Sequence, residues 1–209
     1  MYLSSLTAIA AVLMMGVISP GPSFIYVARN AVTRSRFHGL VTALGTGTGA
    51  AIFSVMAMLG LQKLLNGVPE LFTALKVCGG LYLLWLAFRV MLSASRPLDL
   101  CSTAPAGVKT VWHTFRDGLF TQLSNPKTAL VFASIFTALL PPQIPVSFYY
   151  IVPLMSFAID AGWYALVALL LSAEKPRHVY LRLKCGIDLV SSSVMALLGL
   201  RLISSSLIK

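Results

Sequence analysis

Apolar stretches of about 20 residues recur along this chain, near 3–28, 39–61, 71–92, 116–140, 147–172 and 187–208. A helix rises 1.5 Å per residue, so a stretch of about 20 residues just crosses the roughly 30 Å hydrocarbon core of a bilayer. Every backbone N–H and C=O in that core must be satisfied within the segment, which leaves helices as the structure for such runs. The polar residues left over are too few for a water-soluble surface. Only 11% of residues are charged and 57% are hydrophobic, against about 25% charged in a soluble domain. The runs therefore predict six membrane-spanning helices, an all-α polytopic protein, and exclude a soluble globular domain.

The net charge of +10 invites a nucleic-acid reading, but its distribution opposes one. Arg29, Arg34 and Arg36 fall after the first run. Arg89, Arg96, Lys109 and Arg116 follow the third, and Lys175, Arg177, Arg182 and Lys184 the fifth. The second connection holds Lys63 and the fourth, 141–146, no charge. Basic residues mark the cytoplasmic side, so the odd-numbered loops are expected inside, both termini outside, and lipid headgroups are the partners of the charge. The run 3–18 lacks a basic leader and 19–22 is a poor cleavage site, which reads as a retained first span. Cys78, Cys101 and Cys185 form no CxxC and no metal spacing.

The longest polar stretch, 93–110, contains Pro97, Asp99, Pro105 and Gly107 and reads as a linker. It divides one transporter domain, 1–209, into half-repeats of about 1–100 and 108–209. Each half opens with a span interrupted by proline. The first holds Ser19-Pro20-Gly21-Pro22-Ser23 and the second Ser124-Asn125-Pro126-Lys127-Thr128. Halves of three spans run in opposite senses through the membrane, and broken helices at matching places in inverted halves point to a transporter's binding site.

Depth follows from spacing. Pro20 lies nine residues before Arg29, and Pro126 ten after Arg116. Both breaks then sit roughly 13–15 Å from the cytoplasmic edge, near the midplane. A lone proline kink can be repaired by nearby Ser or Thr, but two matched breaks favour a cavity. Asp160, in the middle of the fifth run, costs about 2.5–3.5 kcal/mol at that depth and so should face the bundle interior. Lys127 lies at similar depth, and the two are expected to form a charge pair or relay across the cavity. Asp160 would serve a proton, a counter-ion or a substrate ammonium. Lys127, or the helix N–H groups near Ser23, would hold a carboxylate. The site residues expected are Pro20, Gly21, Pro22, Ser23, Asn125, Pro126, Lys127 and Asp160.

Other polar residues read as structural. Lys76, Arg89 and Arg201 lie near span ends, where long side chains snorkel. Gln122 and Asn125 either line the cavity or join helices. Gly45, Gly47 and Gly49 suit close helix packing, and Trp163 reads as a packed aromatic. Gly45-x-Gly47-x-Gly49 is followed by no P-loop lysine, so no ATP site is expected. His38, His113 and His178, read as loop residues, are too scattered for a metal. The chain is expected to use no cofactor and to be no enzyme.

Several stretches resemble the LysE/RhtB family of amino-acid exporters. Ser19-Pro20-Gly21-Pro22-Ser23-Phe24 with Arg29-Asn30 is similar to that family's N-terminal signature, and Gly80-Leu81-Tyr82-Leu83-Leu84-Trp85-Leu86 with Arg89 to its third span. Asp117-Gly118-Leu119 with Leu123-Ser124-Asn125-Pro126-Lys127-Thr128-Ala129-Leu130 resembles its fourth, and Leu197-Leu198-Gly199-Leu200-Arg201-Leu202 its last. The resemblance implies a multi-pass protein of the cell inner membrane that exports amino acids or close derivatives, coupled to an ion gradient, protons first. The implied partners are an amino-acid substrate, a coupling ion and the bilayer, with no nucleic acid; self-association into a homo-oligomer is compatible with it. Two other readings compete. A DsbD-type redox protein shares the inverted layout but needs cysteines at the breaks, where this chain has Pro20-Gly21-Pro22 and Asn125-Pro126-Lys127. A non-transporting accessory subunit would leave Asp160 and Lys127 as idle, costly charges.

Overall fold

Proline and its polar neighbours decide where the apolar runs stop being helical. The computed structural model describes residues 2–67, 69–95, 110–140 and 143–207. In it the first run is two helices, α1 (Tyr2–Ile18) and α2 (Pro22–Thr33), which meet at a 58° bend. Pro22 occupies the start of α2, where its missing N–H would have had no helical partner. After α2, the amides of Arg34 and Ser35 both close on the Asn30 carbonyl, at 3.1 and 3.2 Å. The Ser35 hydroxyl then accepts from the His38 amide at 3.3 Å and opens α3 (Arg36–Gly67). The next helix is α4 (Pro69–Ser93).

The fourth run also divides, into α5 (Val111–Leu123) and α6 (Pro126–Leu139). Thr110 caps α5 through the His113 amide, and Asn125 caps α6 by accepting from the Lys127 amide at 3.0 Å. These side-chain acceptors satisfy amides that a helix start otherwise leaves open. α7 (Phe148–Leu171) and α8 (Glu174–Leu207) complete the chain. The expected all-helical class holds, with eight helices and no strand among the described residues.

Three departures from the sequence reading have local causes. The fourth stretch begins at Val111 rather than 116, because Thr110 caps a helical turn ahead of the charged residues Arg116 and Asp117. No loop carries Arg182 and Lys184: Ser172 and Ala173 alone separate α7 from α8. Pro176 falls in the first turn of α8, where a helix tolerates proline. His38, His113 and His178 lie in helices rather than loops. Most of the expected linker and Cys101 lie outside the described residues, as do the side chains of Lys63 and Lys76.

Among the described residues, Arg36–Gly60, Phe148–Leu171 and His178–Ser204 are each long and apolar enough to cross a membrane. The bent pair α1–α2 makes a fourth if it is one span. Val77–Leu92 and Pro126–Leu139 are apolar but shorter, so six full spans do not follow from length alone. α5 and α6, of 13 and 14 residues, each reach only about 20 Å.

α3 packs against α7 on one side and α5 on the other, while α4 and α8 form a separate close pair. Glycines allow both approaches. A Cβ on Gly80 would lie 2.8 Å from the Gly199 carbonyl oxygen, and one on Gly118 would lie 2.5 Å from that of Thr42. Gly45, Gly47 and Gly49 serve the packing role read from their spacing, against Phe115, Ala161 and Gln122. One apolar core joins Leu13, Met58, Leu83, Phe132 and Phe136. The other surrounds Phe24, Val27, Tyr164 and Val167. Leu81, Trp85 and Phe88 on α4 and Leu154 and Leu166 on α7 stay exposed, a large apolar exterior suited to lipid.

A polar cavity where two broken helices meet

The two proline breaks face each other. At the first, Gly21 is extended (φ −144°, ψ −172°) and brings no side chain to cap α2. Lys127 fills that space: a Cβ on Gly21 would lie 3.2 Å from the Lys127 Cδ and 3.5 Å from its Nζ. The Lys127 ammonium donates to the Ser19 carbonyl at 2.7 Å, one of the backbone acceptors that the end of α1 frees. Lys127 thus stands beside the N-terminus of α2 and within the first turn of α6. Helix N-termini carry partial positive charge, so three positive features converge on one spot. An anion is the complement of such a place.

A chain of side-chain hydrogen bonds runs from this spot to α7. The Asn125 amide donates to Ser23 Oγ at 3.0 Å, and Ser23 Oγ donates to Gln122 Oε1 at 2.5 Å. Gln122 Nε2 donates to Asp160 Oδ2 at 2.7 Å. All four residues are buried, none more than 5% exposed. The other Asp160 oxygen, Oδ1, is buried and accepts no hydrogen bond. A donor to a carboxylate contributes about 1.5–3 kcal/mol, comparable to the cost of placing the group at mid-depth. That leaves Oδ1 as an unmet acceptor and Asp160 without a cation partner among the described residues.

Between these groups lies a cavity of about 40 Å³, lined by Gly21, Gln122, Asn125, Lys127, Asp160 and Tyr164. Leu13, Val17, Val131, Phe132 and Ile159 form its apolar wall. It can admit water, which needs roughly 10–15 Å³ of such space. A basic corner and an acidic corner, separated by an apolar wall, can hold the two charged ends of a zwitterion.

The expected site residues divide. Gly21, Asn125, Lys127 and Asp160 line the cavity together, and Ser23 supports it from behind. Pro20, Pro22 and Pro126 shape the breaks without lining it. The expected Lys127–Asp160 pair is not formed, because Ser19 and Gln122 engage the two groups separately. Of the residues read as undecided, Gln122 proves central. Tyr164 was not singled out, since an aromatic in an apolar run carries no separate signal. Nor was the buried ion pair on α8, where Lys184 Nζ meets Asp188 Oδ2 at 2.8 Å. Its only signature is an i, i+4 Lys–Asp spacing across the expected edge of the last run. Lys184 was read as a loop residue; it is 6% exposed within α8.

A charged cavity where two broken helices meet in a helical membrane protein is the layout of a membrane translocator. The family model for the LysE type translocator matches residues 14–206, and the chain belongs to that family. It is 30% identical to a threonine efflux protein of Salmonella typhi over 94% of this chain and 96% of that one. A threonine efflux protein of Escherichia coli K12 is 29% identical over the same shares. A leucine efflux protein of Salmonella choleraesuis is 31% identical over 64% of this chain and 63% of its own length. No solved structure matches.

Proposed function

We propose that this protein is a secondary transporter of the bacterial inner membrane that exports amino acids with uncharged side chains in exchange for protons. The observation carrying the reading is that Asp160 and Lys127, opposite in charge and unpaired with each other, line one cavity at the two helix breaks. The substrate carboxylate would dock between Lys127 and the N-termini of α2 and α6. Its ammonium would take the open Oδ1 of Asp160. The remaining wall is mostly apolar, with the uncharged Thr128, Ser156 and Tyr164 among it and no further carboxylate for a basic side chain. That suits a neutral amino acid, as do the threonine and leucine efflux proteins to which the chain is similar.

Coupling then follows from competition. A carboxylate with one open oxygen accepts a proton or an ammonium, not both at once. If Asp160 exchanges one for the other on opposite sides of the membrane, substrate leaves as protons enter. In this reading α1–α2 and α5–α6 are the broken first and fourth spans of two inverted three-span halves, with the odd-numbered loops cytoplasmic.

The test is purified protein in liposomes loaded with radiolabelled threonine, leucine or lysine, with and without an imposed proton gradient. Efflux of threonine or leucine, accelerated by the gradient and lost in Asp160→Asn, is expected. Normal efflux by Asp160→Asn would remove that residue from the mechanism. Silence of the wild-type protein across a broad amino-acid panel would favour the accessory-subunit reading instead.

A further inference from the structure

The transport reading places the two charged ends of a substrate and leaves its side chain unassigned. An amino acid carries its ammonium and carboxylate on one carbon. With those held at Asp160 and Lys127, the side chain must point along the rest of the cavity. Leu13 lies five residues before the end of α1, Phe132 six after Pro126, and Ser156 four before Asp160. All three line the cavity, and Leu13 and Phe132 share an apolar core with Val152, one turn from Ser156 on α7. Thr128, the neighbour of Lys127 in the first turn of α6, belongs to the charged end. The far end is therefore apolar except for the hydroxyl of Ser156.

Ser156 is 2% exposed, and its hydroxyl is not engaged by its own helix. Serine and threonine in helices commonly close on a carbonyl one turn back, as Thr7, Thr48 and Thr137 do here. Ser156 instead meets α3, where Ser54 Oγ donates to Ser156 Oγ at 2.7 Å. Ser54 Oγ also lies 3.0 Å from the Ala50 carbonyl oxygen, and a hydroxyl has a single hydrogen for the two acceptors. Two arrangements result. With the Ser54 hydrogen on Ser156, the Ser156 hydrogen is free to donate into the cavity. With the Ser54 hydrogen on Ala50, Ser156 donates to Ser54 and keeps a lone pair for a donor in the cavity. The pair can thus serve a ligand hydroxyl in either sense without orphaning a buried group.

The spacing also suits such a ligand. Ser156 is displaced from Asp160 by one helical turn, about 6 Å along α7. The β-hydroxyl of an amino acid stands three bonds from its ammonium nitrogen. With a hydrogen bond of about 2.8 Å at each end, that reach covers the offset. We propose that Ser156 is the side-chain recognition residue of this cavity and selects β-hydroxy amino acids over aliphatic ones of the same shape. The inference rests on the transport reading above. Its strength follows from Ser54, which keeps Ser156 satisfied when no ligand hydroxyl is present. An aliphatic substrate then strands nothing, so the preference should be about tenfold, not the roughly 10⁴-fold of a site left unpaired.

Threonine and valine differ by a hydroxyl in place of a methyl group and test this directly. Liposomes containing wild type or Ser156→Ala are loaded with equal concentrations of differently radiolabelled threonine and valine. Initial efflux of both is counted in the same sample, so the ratio does not depend on how much protein is folded. Wild type should favour threonine by about tenfold, and Ser156→Ala should bring the ratio to within about twofold of unity. Ser54 retains the Ala50 carbonyl in that variant, so no buried hydroxyl is left open. The wild-type ratio is a test in its own right, independent of any variant. A wild-type ratio near unity, or a tenfold ratio that survives in Ser156→Ala, would overturn the proposal and leave the transport reading standing. A wild type that exports neither of these nor leucine would overturn the transport reading and this inference with it.

Discussion

Replacing Gly45 by alanine probes the contact on which the site's geometry depends. On the face of α3 toward α5, a Cβ at Gly45 would land on the Phe115 carbonyl oxygen. It would also lie 2.8 Å from the Leu119 amide nitrogen and 3.2 Å from the Gly118 carbonyl carbon. All three are backbone atoms of a helix and cannot rotate away. Ordinary contact begins at 3.4 Å, so α5 must withdraw by more than half an ångström, and by roughly 1 Å to clear the oxygen. Overpacking that must move backbone costs about 1–3 kcal/mol, and this case belongs at the upper end. At roughly 2–4 °C per kcal/mol for a chain of this size, the melting temperature in detergent should fall by roughly 6–12 °C. Function should suffer more than stability, because α5 carries Gln122. A displacement near 1 Å would lengthen its 2.7 Å bond to Asp160, and errors of that size can cost about 100-fold in rate. Gly60→Ala is the control, since nothing lies within 4 Å of the added carbon. Thermal melts and liposome efflux for the two variants side by side decide the matter. If Gly45→Ala melts and transports like Gly60→Ala, the reasoning from backbone contact is wrong.

Two further outcomes follow from the hydrogen-bond chain. Asn125→Asp keeps the cap acceptor of α6 but loses the donor to Ser23, whereas Asn125→Ala loses both; the alanine variant should be the less stable in thermal melts, by about 1 kcal/mol. Gln122→Met preserves bulk yet leaves Ser23 and Asp160 unserved. It should destabilise by about 1–3 kcal/mol and abolish gradient-driven efflux; wild-type efflux at wild-type stability would show the chain to be dispensable.

Legibility in the sequence tracked how local the cause was. The break at Ser19–Pro22 and the one at Asn125–Pro126 were readable because proline acts on its own turn. Asp160 was readable because a carboxylate inside an apolar run is too costly to sit there idle. Gln122 stayed undecided, because an amide in a membrane helix serves packing or a site equally well and only its neighbours choose. Lys184 was misread for the converse reason. A lysine near the end of a run looks like a loop residue until a helix of 34 residues carries it inside.

Composition, apolar periodicity and proline placement by themselves determined that this chain is helical, membrane-bound and broken at two matched points. Each of those is settled by solvation and sterics acting over a few residues. Tertiary structure alone decided that Lys127 and Asp160 face one cavity without touching, and that Ser23 and Gln122, 99 positions apart, join them. Those relations depend on which helix faces meet, and glycine contacts such as Gly45 on Phe115 and Gly80 on Gly199 set how closely they do so.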